Sequence, residues 1–167
     1  MGGQMMGGRR VSNAEARKIA AMLEKEFEGL YDRWEIAGSV RRGIETAGDL
    51  DLVVIPREGF NEKLGAMFGW QVPKRKADPL KTKKTGLVDE VQVDFNLTTQ
   101  EAFGAALMFA TGSPQVNIVQ RQQAKRLGLL LNEKGVWRGE TRIAGKTELE
   151  CYEALELNWM EPRERSI

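Results

Sequence analysis

The sequence predicts an α+β fold, in which strands and flanking helices follow one another along a chain of 167 residues. Residues 90–97 alternate apolar and polar side chains with the two-residue period of a β-strand, and residues 49–54 begin with the same alternation. Segments with capping residues at their start, Ser12 and Thr147, predict helices near the two ends. A chain of this length forms one domain or two small subdomains and can bury a core.

The composition is that of an ordinary globular protein, with 41% apolar and 29% charged residues. The formal net charge is +1, so any affinity for nucleic acid must come from local patches. The single cysteine, Cys151, excludes an internal disulfide and fits a reducing compartment. The absence of histidine excludes histidine-dependent catalytic triads and leaves carboxylates as the general bases. Without a signal-peptide core or a long apolar run, we expect a cytoplasmic protein with no membrane partner.

The N-terminal part predicts a tail followed by a helix. Residues 1–8 are rich in Gly and Met, which indicates a flexible tail. Ser12 and Glu15 form the S-x-x-E pattern of a capping box at the start of the helix. Its buried stripe is expected to contain Ile19, Met22, Leu23 and Phe27.

A strand over residues 34–37 leads into the turn Gly38-Ser39. This turn can expose backbone N–H groups at the start of a helix, which predicts an anion site. Arg42 follows it and is expected to add a charge-assisted contact to a phosphate. For the neighbouring Arg41 we expect a surface ion pair with Glu45 or Glu35.

Two carboxylates lie one residue apart in the following strand. Asp49 and Asp51 share a face because side chains at i and i+2 point the same way, whereas Leu50, Leu52 and Val54 pack on the other face. Carboxylates roughly 7 Å apart on one face repel each other, and a hard divalent cation keeps both ionised. The alternative, capping or turn aspartates after Gly48, explains one of them but not both.

A third carboxylate is predicted on a later strand. In residues 90–97 the alternation assigns Val91, Val93 and Phe95 to the core and Gln92, Asp94 and Asn96 to the opposite face. Because cross-strand neighbours lie about 5 Å apart, Asp94 can share a pocket with Asp49 and Asp51. Three carboxylates suit Mg²⁺ or Mn²⁺ rather than zinc.

The segment between these strands predicts a short helix around residues 64–68 and then a cationic stretch. Its basic residues are Lys74, Arg75, Lys76, Lys81, Lys83 and Lys84. Such charge density in a nearly neutral protein indicates a phosphate-backbone partner, with sequence-independent and salt-sensitive binding. The alternative is a solubilising loop between strands.

The C-terminal part predicts two helices, a hairpin and a final helix. The first helix, over residues 100–109, buries Phe103, Ala106 and Leu107 and ends near Thr111-Gly112-Ser113. Pro114 opens the next helix, in which Asn117, Gln120 and Arg121 share one face. Residues 127–131 and 136–138 are expected to form a hairpin about residues 132–135. Thr147 and Glu150 cap a final helix in which Cys151 is a buried side chain.

These motifs together resemble the nucleotidyltransferase superfamily and, within it, the X family of DNA polymerases, the DNA polymerase beta group. The residues that carry the resemblance are Gly38-Ser39, Arg41-Arg42-Gly43, Gly48-Asp49-Leu50-Asp51, Asp94, Phe109-Ala110-Thr111-Gly112-Ser113, Asn117, Arg121 and Glu161-Pro162-Arg163. The resemblance implies a palm with a mixed sheet and flanking helices over residues 9–108. It also implies a small α/β nucleotide-selection and thumb subdomain over residues 109–167. We expect a minimal palm-plus-thumb form, similar to the small viral members and without deoxyribose-phosphate lyase activity.

The resemblance also implies roles for individual residues. Asp49, Asp51 and Asp94 would hold two Mg²⁺ ions, with Mn²⁺ able to substitute, and Arg9 or Arg10 would lie near a triphosphate. The nucleotide would contact Gly38, Ser39, Arg42, Gly48, Phe109, Gly112, Ser113 and Asn117. By the resemblance Arg121 would contact DNA, and the charge density of the cationic stretch adds its six basic residues as DNA contacts. The sequence departs from the family at Gln92 and Asn96, where relatives have arginines, and at Ala110, where they have a second aromatic residue.

The expected function is template-directed addition of dNTPs to a primer 3′-hydroxyl, in short-gap filling during DNA base excision repair. The expected partners are gapped or primer–template DNA and a dNTP, with a monomer as the default state. One alternative is a template-independent or small-molecule nucleotidyltransferase. The other is a non-catalytic module that binds DNA ends.

Overall fold

The computed structural model describes residues 8–68 and 83–166, and its elements confirm an α+β fold. The helices are α1 (Asn13–Glu26), α2 (Gly38–Arg41), α3 (Phe60–Phe68), α4 (Phe103–Thr111), α5 (Pro114–Arg126) and α6 (Glu148–Ala154). The strands are β1 (Val11–Ser12), β2 (Tyr31–Ile36), β3 (Thr46–Ala47), β4 (Asp49–Pro56), β5 (Lys83–Val88), β6 (Val91–Leu97), β7 (Leu130–Asn132), β8 (Gly135–Arg138) and β9 (Thr141–Ala144). Within these described ranges, no helix has the length and apolar character needed to cross a membrane.

The central sheet has four strands in the order β2-β4-β6-β5. Its two inner strands, β4 and β6, are parallel, whereas β2 and β5 run antiparallel to their neighbours. The sheet is therefore mixed, as the resemblance implied. The inner parallel pair brings residues at the start of β4 beside residues of β6.

One face of the sheet packs on α1 and α3. Leu50, Leu52 and Val54 are buried on this face, as the alternation predicted. They lie against an aromatic cluster in which the rings of Phe27 and Phe60 are 4.7 Å apart between centroids. This cluster anchors β4, so the opposite side chains of the strand have a fixed direction.

The opposite face of β4 changes character along the strand. It begins with Asp49 and Asp51 and continues with Val53 and Ile55, which are buried against Phe103 and other residues of α4. Because α4 covers only the apolar half of this face of β4, the two aspartates lie beyond the edge of the helix. A second β-sheet, of order β7-β8-β9, packs on the other side of α4 with α5 and α6.

The helical predictions hold in outline and differ in detail. The Ser12 hydroxyl accepts a hydrogen bond from the Glu15 N–H at 3.1 Å, which confirms the N-cap. However, the Glu15 carboxylate pairs with Arg9 instead of completing a capping box. Met22 is wrongly assigned to the core, since 45% of its surface is exposed, and Ala16 and Ala20 fill the buried stripe with Ile19, Leu23 and Phe27.

The C-terminal elements also differ from their predicted bounds. The helix expected over residues 100–109 begins as a 3₁₀ turn (Gln100–Ala102) and continues as α4 to Thr111. The predicted hairpin is present as β7 and β8, but α5 extends to Arg126, so the first strand begins only at Leu130. The third strand, β9, was not predicted.

Candidate active site

Three aspartates converge at the edge of the central sheet. Asp51 lies directly opposite Asp94 in the parallel pairing of β4 and β6, and Asp49 lies two residues before Asp51 on the same face. Each offers a carboxylate oxygen within 4.8 Å of the others. Asp94 is fully buried, whereas Asp49 and Asp51 are partly exposed. The structure therefore brings together the three carboxylates that the sequence singled out.

The carboxylate cluster is electrostatically strained at neutral pH. The pKa of Asp51 is raised to about 7, first by burial and then by the charges of Asp49 and Asp94. The pKa of Asp49 is also raised, first by burial and then by the charge of Asp94. A divalent cation would relieve this repulsion, and three oxygen donors are the ligand type that Mg²⁺ and Mn²⁺ prefer.

Among the residues that the structure describes, three side chains hold the carboxylate of Asp94. The Thr85 hydroxyl and the Gln92 amide donate to its Oδ1 at 2.7 and 3.1 Å. Lys83 Nζ lies 3.3 Å from its Oδ2. Asn96, by contrast, donates to the Leu52 carbonyl at 3.0 Å and does not reach Asp94.

Thr85 and Lys83 were not recognised in the sequence as neighbours of Asp94. Residues 88 and 91 flank a two-residue turn at Asp89-Glu90, whose positive φ angles of 49° and 66° are those of a tight hairpin. Counting back from that turn pairs Thr85 with Asp94. The register of the hairpin therefore identifies the supporting residues.

The basic residues of the cationic stretch separate into different places. Lys83 and Lys84 lie in β5, where Lys84 Nζ donates to Asn61 Oδ1 at 2.9 Å. They belong to the sheet and not to a loop between strands. The other four residues, Lys74, Arg75, Lys76 and Lys81, lie outside the described residues.

The Gly38-Ser39 turn lies against the aspartate cluster. Gly38 has φ of +63°, and a Cβ atom at this position would lie 2.2 Å from Asp51 Oδ2. The backbone can approach the carboxylate this closely only because the residue is glycine. The Ala37 N–H donates to the Asp51 carbonyl at 2.8 Å, which fixes the turn to β4.

Of the two N-terminal arginines, Arg10 lies nearer the cluster. Its Nη2 donates to the Thr46 carbonyl at 3.1 Å, and a Cβ at Gly48 would lie 3.4 Å from its Nη1. The charge of Arg10 also opposes the rise in the pKa of Asp49. Arg9 points elsewhere, because it pairs with Glu15.

Arg42 lies between the aspartates and the end of α4. Its guanidinium donates to the Thr111 carbonyl at 2.5 Å and to the Ser166 hydroxyl at 3.1 Å. Burial lowers the pKa of Arg42, and the nearby charges of Asp51 and Asp49 oppose that shift. Arg42 is thus close to the cluster, where a bound phosphate would be within its field.

The surface ion pair expected for Arg41 is wrong. Arg41 instead donates to both carboxylate oxygens of Glu148, at 2.6 and 2.9 Å, and to the Thr111 hydroxyl at 2.8 Å. The other partner of Glu148 is Arg165, whose Nη1 lies 2.6 Å from Oε2. Glu148 is 107 residues from Arg41 in the chain, so neither local spacing nor strand alternation could identify this pair.

The predicted polar face of α5 is divided by the fold. Asn117 donates to the Phe109 carbonyl at 2.9 Å, and the Phe109 side chain is exposed beside it. Gln120 is buried and donates to the Tyr152 hydroxyl at 3.1 Å. Arg121 is exposed and has no hydrogen bond or ion pair with any described residue. These residues line a shallow pocket with Ala105, Met108, Leu131 and Asn132.

The turn before α5 is a tightly packed junction. Gly112 has φ of +68°, in the region that favours glycine, and a Cβ there would lie 3.3 Å from Arg42 Nη1. The Ser113 hydroxyl caps α5, and the backbone N–H of Ser113 donates to the Arg165 carbonyl at 2.9 Å. Ser113 is buried, so its nearest polar partners are backbone groups of this junction.

Two family models match the chain. Residues 10–134 match the model described as DNA polymerase beta palm, and residues 106–166 match the model described as DNA polymerase beta thumb. The chain is 36% identical over 131 residues to the DNA polymerase/3′-5′ exonuclease PolX of Bacillus subtilis. That alignment covers 75% of this chain and 23% of the relative, so the chain spans about a quarter of that protein's length.

Solved structures show the same fold. The Leishmania infantum polymerase beta in a ternary gap complex matches with a TM-score of 0.76 at 18% identity, covering 95% of this chain and 71% of that chain. The same protein in a ternary P/T complex matches with a TM-score of 0.72 at 19% identity, covering 95% and 77%. At such identities the likeness concerns the path of the backbone.

Proposed function

The chain belongs to the X family of DNA polymerases, the DNA polymerase beta group, and on that premise we propose that it is a template-directed DNA polymerase. The observation that carries the proposal is the convergence of Asp49, Asp51 and Asp94 from two parallel strands beside the Gly38 turn. A carboxylate cluster next to the backbone N–H groups of a helix start suits transfer of a phosphoryl-linked group. We further propose palm and thumb subdomains that meet at residue 108/109.

The three carboxylates would bind two Mg²⁺ ions, and one of the carboxylates would also accept a proton. Asp49, Asp51 and Asp94 would supply the carboxylate oxygens that hold the ions. Bound ions would lower the pKa of the primer 3′-hydroxyl and stabilise charge developing on the α-phosphate. Asp94 would accept the proton of that hydroxyl as its oxygen bonds to the α-phosphorus and the bond to the leaving pyrophosphate breaks. The fixed orientation of Asp94 by Thr85 and Gln92 supports this role.

The residues around the cluster would bind and orient an incoming dNTP. Gly38 and Ser39 would donate backbone N–H groups to the triphosphate, with Arg42 and Arg10 adding positive charge and Gly48 leaving room beside them. Backbone donors at the start of a helix favour anions, and a guanidinium adds a charge-assisted contact. The sugar would lie over Phe109, Gly112 and Ser113, and Asn117 would reach the base edge.

DNA binding is proposed for basic side chains outside the aspartate cluster. Arg121 is exposed, on the α5 face that lines the shallow pocket, and would contact the template strand. The basic residues of positions 74–81 would contribute sequence-independent affinity. We propose short-gap filling in DNA repair as the setting, with the protein acting as a monomer on gapped DNA.

Single-turnover extension of a labelled primer tests the proposal. Purified protein is given Mg²⁺ and one dNTP at a time, on a one-nucleotide gap and on a single strand without template. Asp94→Asn removes the charge without changing the shape of the side chain. Asp89→Asn is the matched control, because Asp89 is an exposed turn residue whose positive φ asparagine also tolerates.

Addition of only the complementary nucleotide, lost in Asp94→Asn and kept in Asp89→Asn, supports a templated polymerase. Equal addition on the single strand would favour a template-independent nucleotidyltransferase instead. Binding to DNA ends without any nucleotide addition would contradict the catalytic assignment and favour a non-catalytic module.

A further inference from the structure

Lys83 has an unusual position for a lysine of an outer strand. Its Nζ lies 3.3 Å from Oδ2 of Asp94, a carboxylate that is fully buried within the aspartate cluster. Lys83 is the cation that approaches Asp94 most directly among the described residues, since Arg42 bonds to Thr111 and Ser166 and Arg10 to Thr46. A single flexible ammonium group therefore faces a site that suits divalent cations.

The strand geometry explains this contact. Thr85 pairs with Asp94 across the antiparallel β5 and β6, so both side chains lie on one face of the sheet. Lys83 is two residues from Thr85 and shares that face, leaning towards the cluster. Lys84 points to the opposite face, where it bonds to Asn61 on α3. The two adjacent lysines are thus equal in charge and opposite in direction.

We propose that Lys83 is a tethered counter-ion of the aspartate cluster, which competes with divalent metal ions for Asp94. The inference rests on the metal-binding role proposed above for the same cluster. It goes beyond that role, because it assigns to a residue of β5 the tuning of metal affinity. In this arrangement the ammonium group stabilises the carboxylates until a metal ion replaces it.

The contacts of Asp94 are suited to such an exchange. The side chain of Lys83 is 59% exposed and makes one polar contact with the cluster, so it can withdraw into solvent. The Oδ1 atom stays bound to Thr85 and Gln92 when the lysine leaves, which keeps the carboxylate oriented.

Binding of Mn²⁺ to the purified protein, without DNA or nucleotide, tests the proposal. Free Mn²⁺ is measured by electron paramagnetic resonance during titration at low ionic strength. We expect Lys83→Met to bind Mn²⁺ about tenfold more tightly than the unmodified chain, since a competing charge next to a buried carboxylate has been removed. Lys84→Met, with the same change in net charge, should remain within about twofold because its ammonium group faces away. Lys83→Arg keeps the charge and should restore the weaker affinity.

Thermal unfolding in a chelator supplies the second measurement. Lys83→Met should melt at a lower temperature than Lys84→Met in the chelator, and saturating Mn²⁺ should remove that difference. Equal Mn²⁺ affinity of the two methionine variants would overturn the proposal, as would weaker binding by Lys83→Met. If Mn²⁺ affinity is unchanged and a separate titration of Lys83→Met with duplex DNA shows a loss of DNA affinity, the proposal is likewise overturned and Lys83 is assigned to the DNA backbone. Because these measurements involve no polymerisation, their failure is distinct from failure of the proposed enzyme activity.

Discussion

Glu148 joins two parts of the chain, and its loss should destabilise the whole fold. Its carboxylate accepts from Arg41, which follows the Gly38 turn, and from Arg165, near the C-terminus. Arg165 is only 1% exposed and Glu148 7%, so the charges depend on each other for compensation. The change Glu148→Gln leaves the Arg165 guanidinium buried without a counter-charge.

Removing one partner of a buried ion pair costs about 3–5 kcal/mol. For a chain of this size, such a loss lowers the melting temperature by roughly 10 °C. Urea unfolding at pH 7 measures the change directly. Glu153→Gln is the matched control, because Glu153 is exposed on the same helix and loses the same charge. The double variant Glu148→Gln with Arg165→Met should be more stable than the sum of the single changes predicts.

The pH dependence gives an independent check on the same residue. Burial by itself would raise the pKa of Glu148, but the hydrogen bonds and charges of Arg41 and Arg165 hold it below its ordinary value. Such a carboxylate contributes stability above its unfolded pKa, and that contribution is lost as pH falls through the folded pKa. The unmodified chain should therefore lose its advantage over Glu148→Gln in acid. If Glu148→Gln costs no more than Glu153→Gln at pH 7, the reasoning is refuted.

Three further predictions concern the cluster and the core. Gly38→Ala should destabilise the fold by about 2–4 kcal/mol and weaken Mn²⁺ binding, because its Cβ would meet Asp51. Gly43→Ala is the control: Gly43 has a similar positive φ but open space around it, so this change should cost about 1 kcal/mol and leave Mn²⁺ binding unchanged. Asp51→Asn should raise the free energy of unfolding by about 1–3 kcal/mol, measured with urea in a chelator at pH 8, whereas Asp89→Asn should not. The reason is that the pKa of Asp51 is raised to about 7 in the folded protein, so the fold is destabilised as pH rises through that value and the carboxyl group ionises. Equal stability of these two variants would contradict that explanation. Burial raises the pKa of Cys151 to about 12, so a thiol reagent at pH 8 should label it only on unfolding, and rapid labelling of the folded protein would place it at the surface.

The aspartate cluster could be predicted from the sequence because it depends on the shortest-range rule of strands. Side chains at i and i+2 share a face, so the pattern of β4 and β6 determines which residues turn away from the core. One parallel pairing then brings Asp51 beside Asp94. The same rule, applied to the hairpin about Asp89-Glu90, also predicts the position of Thr85.

Contacts that depend on packing between distant elements could not be predicted in this way. The partner of Arg41 lies on α6, and its identity follows from how α4 and α6 pack together. That packing is close because Gly104 has no Cβ, which would otherwise lie 2.1 Å from the Thr147 backbone. The exposure of Met22 also depends on packing between elements. Helical spacing identifies the apolar stripe of α1 but not how much of that stripe the sheet covers.

The two arginines after the Gly38 turn have different structural consequences. Arg41 reaches Glu148 on α6, whereas Arg42 bonds to the Thr111 carbonyl at the end of α4. Both contacts tie the turn to residues of the C-terminal part, so a displacement of α4 or α6 must be transmitted to the turn. Gly38, in this turn, packs directly against the Asp51 side chain. The affinity of the cluster for metal ions should therefore respond to changes at Glu148, which lies outside the cluster. Glu148→Gln should weaken Mn²⁺ binding under conditions in which the variant is still folded. Unchanged affinity would show that the turn holds its position without the C-terminal contacts.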